Sequence, residues 1–304
     1  MERRNLAMAD SADNNEQWLY HYTSHQGLLG ILGGERISIR ATAIGHLNDP
    51  TEFQYAHDLL ERCIAELGIL IPGKHDRLRE ALRCEAIKKC FTAESFFIFC
   101  LSEDGNLISQ WRSYCPQGGY SIGFSRSLLH ASIGQYLGRL ERCVYDLDEQ
   151  RPLVEEKLRQ LVSDFDKKCT AQNECDIENI VILWYRDWIR LAIRLKDGAY
   201  AAEREWRVVI DQKQVDASIS NNTIEGIGYT IQTQVGFRVG SWGVIPYREV
   251  ILSYPGEPCV IEQIVIGPNP YKDIAKSGVD ALLKKSRLDE TILVKTSDIP
   301  FRYI

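Results

Sequence analysis

The sequence predicts a single α+β domain, and three observations support this fold class. Hydrophobic residues make up 44% of the chain and charged residues 26%, which is the composition of an ordinary folded protein. The first part of the chain alternates short apolar strand patterns with helical ones, and later the period changes to two, which favours strands. With 304 residues, the chain can bury roughly three quarters of its unfolded surface without a disulfide or metal to stabilise it.

The opening segment predicts a strand, a short helix and a second strand. Aromatic residues over 18–22 favour the first strand. Ser24 offers a hydroxyl cap for a helix that ends at Gly33. Residues 36–39 alternate polar and apolar side chains, as a strand with one buried face does. Residues 1–16 are polar without an apolar period, so we expect a disordered tail before a domain that covers 17–304.

Helical patterns predict two insertions in this domain. The first covers about 53–92 and follows a turn at Asn48-Asp49-Pro50. The second covers about 151–197, and it either belongs to the domain or forms a subdomain of its own. Strand patterns lie at 95–101, 120–124, 205–210, 234–239, 250–252, 261–266 and 291–295, and a last helix is expected at about 274–285.

Charge and cysteine content limit the classes of function. The chain has 36 basic and 42 acidic residues, a net charge of −6, which is atypical of a nucleic-acid coat protein but leaves room for a local basic groove. Its nine cysteines include no CxxC pair, so we expect reduced, mostly buried thiols. The sequence has neither a secretory signal nor a run of 18 apolar residues, and we expect a cytoplasmic protein without a membrane partner.

No motif for a familiar cofactor or catalytic centre occurs. The glycines near residue 30 do not spell GxGxxG, and the P-loop, HExxH, GxSxG and EF-hand patterns are absent. The six histidines are spread along the chain, so nothing in their spacing indicates a metal site. We therefore expect no metal, and the candidate site has to come from clusters of polar and aromatic residues.

The first cluster, Tyr20-His21-Tyr22-Thr23, lies where the first strand meets the first helix. A histidine at a strand end, beside free backbone N–H groups, can bind a ribose or phosphate oxygen. The alternative is purely structural: the aromatic rings pack, and Thr23 or Ser24 caps the helix.

The second cluster contains Glu203 and Glu205, which one residue separates and which therefore share a face of a predicted strand. Two carboxylates at a strand end suit a reaction at a glycosidic bond, because one can stabilise an oxocarbenium-like transition state while the other activates the acceptor. The alternative is an exposed strand with ion pairs to Arg204 and Arg207, each worth under about 1 kcal/mol.

Two further clusters are less specific. Arg112 follows Trp111 and precedes a glycine turn and Tyr120, so it could stack on a flat ring and bind a phosphate or carboxylate. Alternatively, Trp111 is a buried anchor and Arg112 is paired internally. Asn48, Asp49 and Glu52 suit a turn followed by a helix cap. A metal-dependent nuclease is a further alternative, and Asp49 and Glu52 are the only acidic residues of this cluster that could bind its metal.

Taken in order, these motifs resemble the bacterial domain-of-unknown-function family 2971. The resemblance covers about Tyr20 to Ile304 and does not itself imply an activity. It is carried by the Leu-Tyr-His-Tyr-Thr-Ser start, Leu47-Asn48-Asp49-Pro50, Phe99 to Glu103, Ser109 to Tyr114, Tyr120 to Phe124, Glu203-x-Glu205-Trp206-Arg207 and Ile264 to Pro268.

The opening strand, helix and glycine pair also resemble ADP-ribosyltransferase folds, including their DNA-modifying toxin branch. That resemblance implies a mixed or antiparallel β core in which His21 holds the ribose of NAD. It implies that Glu205 or Glu203 assists transfer. The remaining residues expected to bind NAD are Tyr22, Thr23, Asn48, Trp111, Arg112 and Tyr120, with Arg112 at the pyrophosphate and Trp111 or Tyr120 stacked on the nicotinamide.

The function implied is an NAD-consuming, ADP-ribosyltransferase-like enzyme that serves as a bacterial toxin or anti-phage defence effector. NAD would be a substrate, the acceptor would be a protein or a nucleic acid, and an inhibitory or regulatory protein could act as a partner. The alternative is a module that senses a nucleotide or binds a protein without catalysis. Whether His21 and Glu205 face one cleft distinguishes these alternatives, because a separation of more than about 15 Å would be too large for one nucleotide to bridge.

Overall fold

The computed structural model describes residues 18–47, 51–83, 95–169, 176–220, 235–240, 243–288 and 292–300. The predicted tail at 1–16 lies outside these ranges, as does Asn48-Asp49-Pro50. Strands in the described ranges are β1 (Trp18–Thr23), β2 (Ile37–Ala43), β3 (Phe96–Ser102), β4 (Tyr120–Ser125), β5 (Arg139–Arg142), β6 (Glu205–Asp211), β7 (Gly236–Gly240), β8 (Gly243–Ser253), β9 (Ile261–Ile266) and β10 (Leu293–Thr296). Helices there are α1 (His25–Leu32), α2 (Thr51–Glu66), α3 (Asp76–Arg83), α4 (Ile108–Tyr114), α5 (Arg126–Gly134), α6 (Leu147–Lys168), α7 (Ile177–Ala192), α8 (Gln212–Ser220) and α9 (Lys272–Lys285), with 3₁₀ turns at Ile44–His46 and Gly198–Glu203.

All of these strands belong to one mixed sheet. Its order is β10-β9-β4-β1-β3-β2-β8-β7, and β6 pairs with β3 and with β5. Strands β9 and β10 are parallel, and the other described pairs are antiparallel. The predicted α+β class with a mixed, mainly antiparallel sheet is therefore confirmed.

The sheet divides at β3. Strand β6 pairs along the whole of one side of β3, from Phe96 to Ser102. On the other side, β1 pairs with β3 at Ser102, whereas β2 pairs with it at Phe97 and Ile98. The two strands therefore separate beside the middle of β3, near Cys100.

Helices cover both faces of the sheet. Apolar side chains of α1, α5 and α9 pack on one face. The opposite face has two separate covers: α4 packs on β1 through Trp111, while α2, α3, α6 and α7 share a core with Phe96, Ile98 and Val209. The helices of the second group lie largely within the two ranges for which insertions were predicted. The candidate site lies between these helices and α4.

Local signals explain several element ends. Ser24 caps α1 by accepting a hydrogen bond from the Gly27 N–H at 3.2 Å, and Gly33 follows the last turn, as predicted. Helix α6 begins at Leu147, earlier than predicted, because the Asp146 carboxylate caps it. Among the cysteines, Cys63 and four others are free thiols, but Cys169 is disulfide-bonded, so the expectation of reduced thiols throughout is wrong.

A membrane-spanning helix is not found in the described part of the chain, where every helix is too short or too polar to cross a bilayer.

Candidate functional site

A cavity lies between α4 and the segment that leads into β6. Its empty volume is about 340 Å³ including space open to solvent, of which about 30 Å³ admits the centre of a water molecule. Without rearrangement it therefore holds water rather than a whole nucleotide. It is lined by Tyr20, His21, Tyr22, Cys100, Leu101, Ser102, Gln110, Tyr114, Glu203 and Glu205. Four of the predicted site residues, His21, Tyr22, Glu203 and Glu205, thus border one cavity.

Glu203 and Glu205 lie close together, but they do not share a face of one strand as predicted. Only Glu205 belongs to β6, because Glu203 ends the preceding 3₁₀ turn and Arg204 has a left-handed backbone with φ of 44°. The two carboxylates nevertheless converge, since Oε2 of each lies 2.6 Å from Lys196 Nζ. An ammonium group shared by two glutamates replaces the common strand face that the spacing predicted.

Glu205 is the centre of a buried ion network. Arg207 donates from Nε to Oε1 at 2.9 Å and from Nη2 to Oε2 at 3.1 Å, so the pair is bidentate. Burial by itself would raise the pKa of Glu205, but the charges and hydrogen bonds of Arg207 and Lys196 outweigh it and lower the pKa to about 2. Glu205 is therefore an anion at neutral pH, and both of its carboxylate oxygens are engaged.

This network corresponds in part to the structural alternative for the second cluster. Glu205 pairs with Arg207 as that alternative expected, but the pair is buried, with side-chain exposures of 7% and 4%. Arg204 instead pairs with Asp104, at 3.0 Å. Arg207 Nη1 also donates to the Ile193 carbonyl at 2.6 Å, which ties β6 to the end of α7.

Glu203 is the more accessible of the two carboxylates. Its side chain is 22% exposed, and one oxygen is held by Lys196. Its Oε1 has no hydrogen-bond partner within the described ranges and remains available to a molecule in the cavity.

Helix α4 supplies the opposite wall of the cavity. Gln110 and Tyr114 are four residues apart and therefore lie on the same side of the helix. Burial and the nearby Cys100 and Glu205 raise the pKa of Tyr114, so its hydroxyl keeps its proton at neutral pH. That hydroxyl makes no hydrogen bond to any described residue and can donate one to a ligand.

The His21 imidazole packs against Phe99 of β3. Tyr20 pairs with Ser102, which pairs with Glu205, so these three side chains share one face of the sheet. His21 follows Tyr20 and projects to the other face, where its ring stacks on Phe99 with centroids 4.0 Å apart. His21 and Glu205 thus border the same cavity, with the His21 ring packed on Phe99.

His21 also forms a hydrogen bond at the point where β1 and β2 separate. Its Nδ1 donates to the Cys100 carbonyl at 2.9 Å, where β1 and β2 separate. Burial and the charge of Arg238 lower the pKa of His21 to about 4, although the Cys100 hydrogen bond acts in the opposite direction. The ring is therefore neutral, and its Nδ1 proton leaves Nε2 as an acceptor.

Three further predicted residues are buried or packed nearby but do not line the cavity. Thr23 packs against Gly27, where a Cβ would come within 1.8 Å of its hydroxyl. Trp111 is 4% exposed and packs edge-on against the Tyr22 ring. Tyr120 is 8% exposed and belongs to the core under α1.

Arg112 is exposed in the last turn of α4, two residues from Gln110 and thus on another side of the helix. Asn48 lies outside the described residues.

Sequence reasoning missed Lys196, Gln110 and Tyr114. Lys196 follows a helix that is apolar nearly all round and should therefore be buried. Because a buried lysine is almost always paired, its position indicates an ion pair with a carboxylate. Gln110 and Tyr114 belong to the cluster around Arg112, but only the formation of α4 shows which of its residues turn toward the cavity. No group of three His, Cys, Asp or Glu that could hold a metal occurs in the described ranges.

Comparison with known proteins finds a match to one family model over part of the chain, and it does not indicate an activity. The model of a protein family of unknown function, DUF2971, matches residues 110–208. This segment contains Gln110, Tyr114, Lys196, Glu203 and Glu205, so it includes both walls of the cavity. No curated protein and no solved structure matches the chain. The resemblance to family 2971 is supported over this segment, whereas these comparisons do not support the resemblance to ADP-ribosyltransferases.

Proposed function

We propose that the protein is an NAD-consuming enzyme of the ADP-ribosyltransferase type whose active site is the cavity between Tyr114 and Glu203. The observation that carries this proposal is the convergence of Glu203 and Glu205 on Lys196 at a cavity bordered by three tyrosines. Aromatic rings suit the nicotinamide of NAD, and an ionised carboxylate suits the positive charge that develops on the ribose when its bond to nicotinamide breaks.

In the proposed reaction, the bond between ribose C1′ and the nicotinamide nitrogen breaks, and its electron pair stays with nicotinamide. A heteroatom of the acceptor then bonds to C1′ and releases its proton to Glu203 or to water. We assign the reacting ribose to Glu203, because one of its oxygens is unoccupied. Glu205 and Arg207 act as positioning residues that hold Lys196, and through it Glu203, in place.

The size of the cavity limits what it can enclose. An empty volume of about 340 Å³ is at the lower end for small-molecule pockets. In this proposal the side chains around the cavity rearrange to admit the nicotinamide riboside half of NAD, and the rest of the nucleotide extends outside. Tyr114 donates its hydroxyl proton to the ligand, since that hydroxyl has no other partner among the described residues.

A direct assay is nicotinamide release from NAD, followed chromatographically with water, protein extract or oligonucleotides as acceptors. Glu203→Gln should leave NAD affinity nearly intact and lower turnover by roughly 10²–10⁴-fold, because the lost interaction is made mainly in the transition state. Asp104→Asn is the matched control, since Asp104 pairs with Arg204 and lies outside the cavity lining. If no acceptor elicits nicotinamide release from the wild type, the enzymatic proposal is wrong.

A second candidate function is nucleotide sensing without catalysis, and one observation favours it. Lys196 and Arg207 balance the charges of Glu203 and Glu205, so the cluster carries no net charge with which to stabilise a ribosyl cation. Thermal stabilisation by NAD, without nicotinamide release by any acceptor, would support this alternative.

A further inference from the structure

Two arginines without an acidic partner among the described residues lie near the division of the sheet. Among the described residues, neither Arg40 of β2 nor Arg238 of β7 forms an ion pair. Arg238 Nη2 donates to Thr42 Oγ1 at 3.1 Å, and Arg40 Cζ lies 4.9 Å from the centre of the Tyr247 ring. Both guanidinium groups are thus held by neutral side chains.

The two groups are neighbours, because Thr42 and Tyr247 pair directly across β2 and β8. Burial and the positive charge of Arg40 lower the pKa of Arg238, as expected when two cations approach without a carboxylate between them. An anion between them would remove this repulsion and accept hydrogen bonds from both guanidinium groups.

The arginine pair adjoins the cavity. Thr42, which binds Arg238, pairs with Ile98 of β3, and the charge of Arg238 acts on His21, which borders the cavity. Thr42 and Ile98 lie on the face of Glu205, whereas the Arg40 guanidinium reaches α1, where its Cζ would lie 3.9 Å from a Cβ at Gly30. The pair therefore lies at the division of the sheet, on the far side of β3 from β6.

We propose that Arg40 and Arg238 form an anion-binding site for the phosphate groups of a nucleotide whose base or nicotinamide end occupies the neighbouring cavity. Guanidinium forks match phosphate oxygens in pairs, which suits a pyrophosphate better than a single carboxylate. The link to the cavity rests on the proposed function, but the anion site itself does not. In this proposal the pair takes the place of Arg112 of α4 as the candidate pyrophosphate ligand.

The test is calorimetric titration of the full-length protein with inorganic pyrophosphate, with sulfate at equal ionic strength as the reference. Wild-type protein should bind pyrophosphate more tightly than sulfate, and Arg40→Gln and Arg238→Gln should each weaken binding at least 10-fold. Arg36→Gln is the matched control, because Arg36 precedes the same strand and is paired with Glu249 at 3.1 Å. Absence of pyrophosphate binding by the wild type, or equal weakening by the control, would overturn the proposal.

Arg238→Lys covers the case in which Arg238→Gln does not fold. It keeps the charge but cannot make two parallel hydrogen bonds, so it should still weaken pyrophosphate binding several-fold. Unchanged affinity in Arg40→Gln and Arg238→Lys, with both variants folded by thermal melting, would also overturn the proposal.

Glu203→Gln separates the two proposals. It should bind pyrophosphate like the wild type, because Glu203 borders the cavity and not the arginine pair. Pyrophosphate binding without nicotinamide release by the wild type supports the anion site and contradicts the enzyme. Nicotinamide release that survives Arg40→Gln and Arg238→Lys, with no pyrophosphate binding by any form, supports the enzyme and contradicts the anion site.

Discussion

Glu203 and Glu205 share one ammonium group: Lys196 Nζ lies 2.6 Å from Oε2 of each. The two carboxylates differ in everything else that surrounds them. Glu205 is 7% exposed and also bound by Arg207, whereas Glu203 is 22% exposed and has one oxygen unoccupied by any described residue. Glu205 is therefore a buried structural anion, whereas Glu203 is an anion that a ligand can reach.

This division predicts unequal effects on stability. Glu205→Gln would leave Lys196 and Arg207 buried without their main counter-charge, so we expect the free energy of unfolding to fall by about 3–5 kcal/mol. Glu203→Gln leaves Lys196 paired with Glu205 and should cost about 1 kcal/mol or less. Chemical denaturation of both variants measures the difference, and similar small losses would contradict the central role of Glu205.

The same ion network predicts acid sensitivity below pH 4.5. The pKa of Glu205 is about 2 in the folded protein and has an ordinary value of 4.5, so the unfolded chain takes up this proton more readily. The stability contributed by Glu205 is fully present above about pH 4.5 and is lost as the pH falls toward 2. Urea unfolding across this range should show the loss in the wild type, and a matching slope in Glu205→Gln would exclude Glu205 as its source.

The lowered pKa of His21 predicts a second loss of stability on acidification, over a higher pH range than that of Glu205. Its pKa is lowered from 6.5 to about 4, so the unfolded chain again binds the proton more readily than the folded one. Stability from His21 is fully present above about pH 6.5 and falls as the pH is lowered toward 4. In His21→Gln the denaturation midpoint should depend less on pH over this range than in the wild type. His130→Gln, at an exposed histidine of α5, should leave that dependence unchanged.

Elements with a strong local pattern were predicted from sequence. Strand β9 occupies Ile261–Ile266 as predicted, because its apolar residues are buried on both faces. Helix α4 and strand β5 were missed. Helix α4 is only seven residues long and is stabilised by Trp111 in a distant core, and β5 has the polar sequence Arg-Leu-Glu-Arg and forms by pairing with β6. Their structure comes from tertiary contacts that no local window contains.

The candidate site was predictable to a similar extent. Its glutamates stood out as an acidic pair beside Trp206 and Arg207. The face on which His21 lies was not predictable, because it depends on the pairing of Tyr20 with Ser102 and of Ser102 with Glu205, three segments far apart in the chain. Lys196 joins the site for the same reason, through a turn that returns the end of α7 to the start of β6.

The position of Tyr20 at the cavity depends on two glycines. A Cβ at Gly105 would lie 2.5 Å from the Tyr20 ring, and one at Gly123 would lie 2.8 Å from it, so the ring fits between two positions that have no side chain. Gly105→Ala should therefore push Tyr20 out of place and cost about 1–3 kcal/mol of stability by overpacking.

Because Tyr20 borders the cavity, the same displacement should weaken any ligand bound there. Tyr20→Leu removes the ring that an alanine at position 105 would strike, so the cost of Gly105→Ala should be smaller in that background. A double-mutant cycle of unfolding free energies measures this coupling. Gly278→Ala, on the exposed side of α9 with nothing within 4 Å of its Cβ position, controls for the general effect of replacing a glycine. Strict additivity of Gly105→Ala and Tyr20→Leu would show that the glycine does not position the ring.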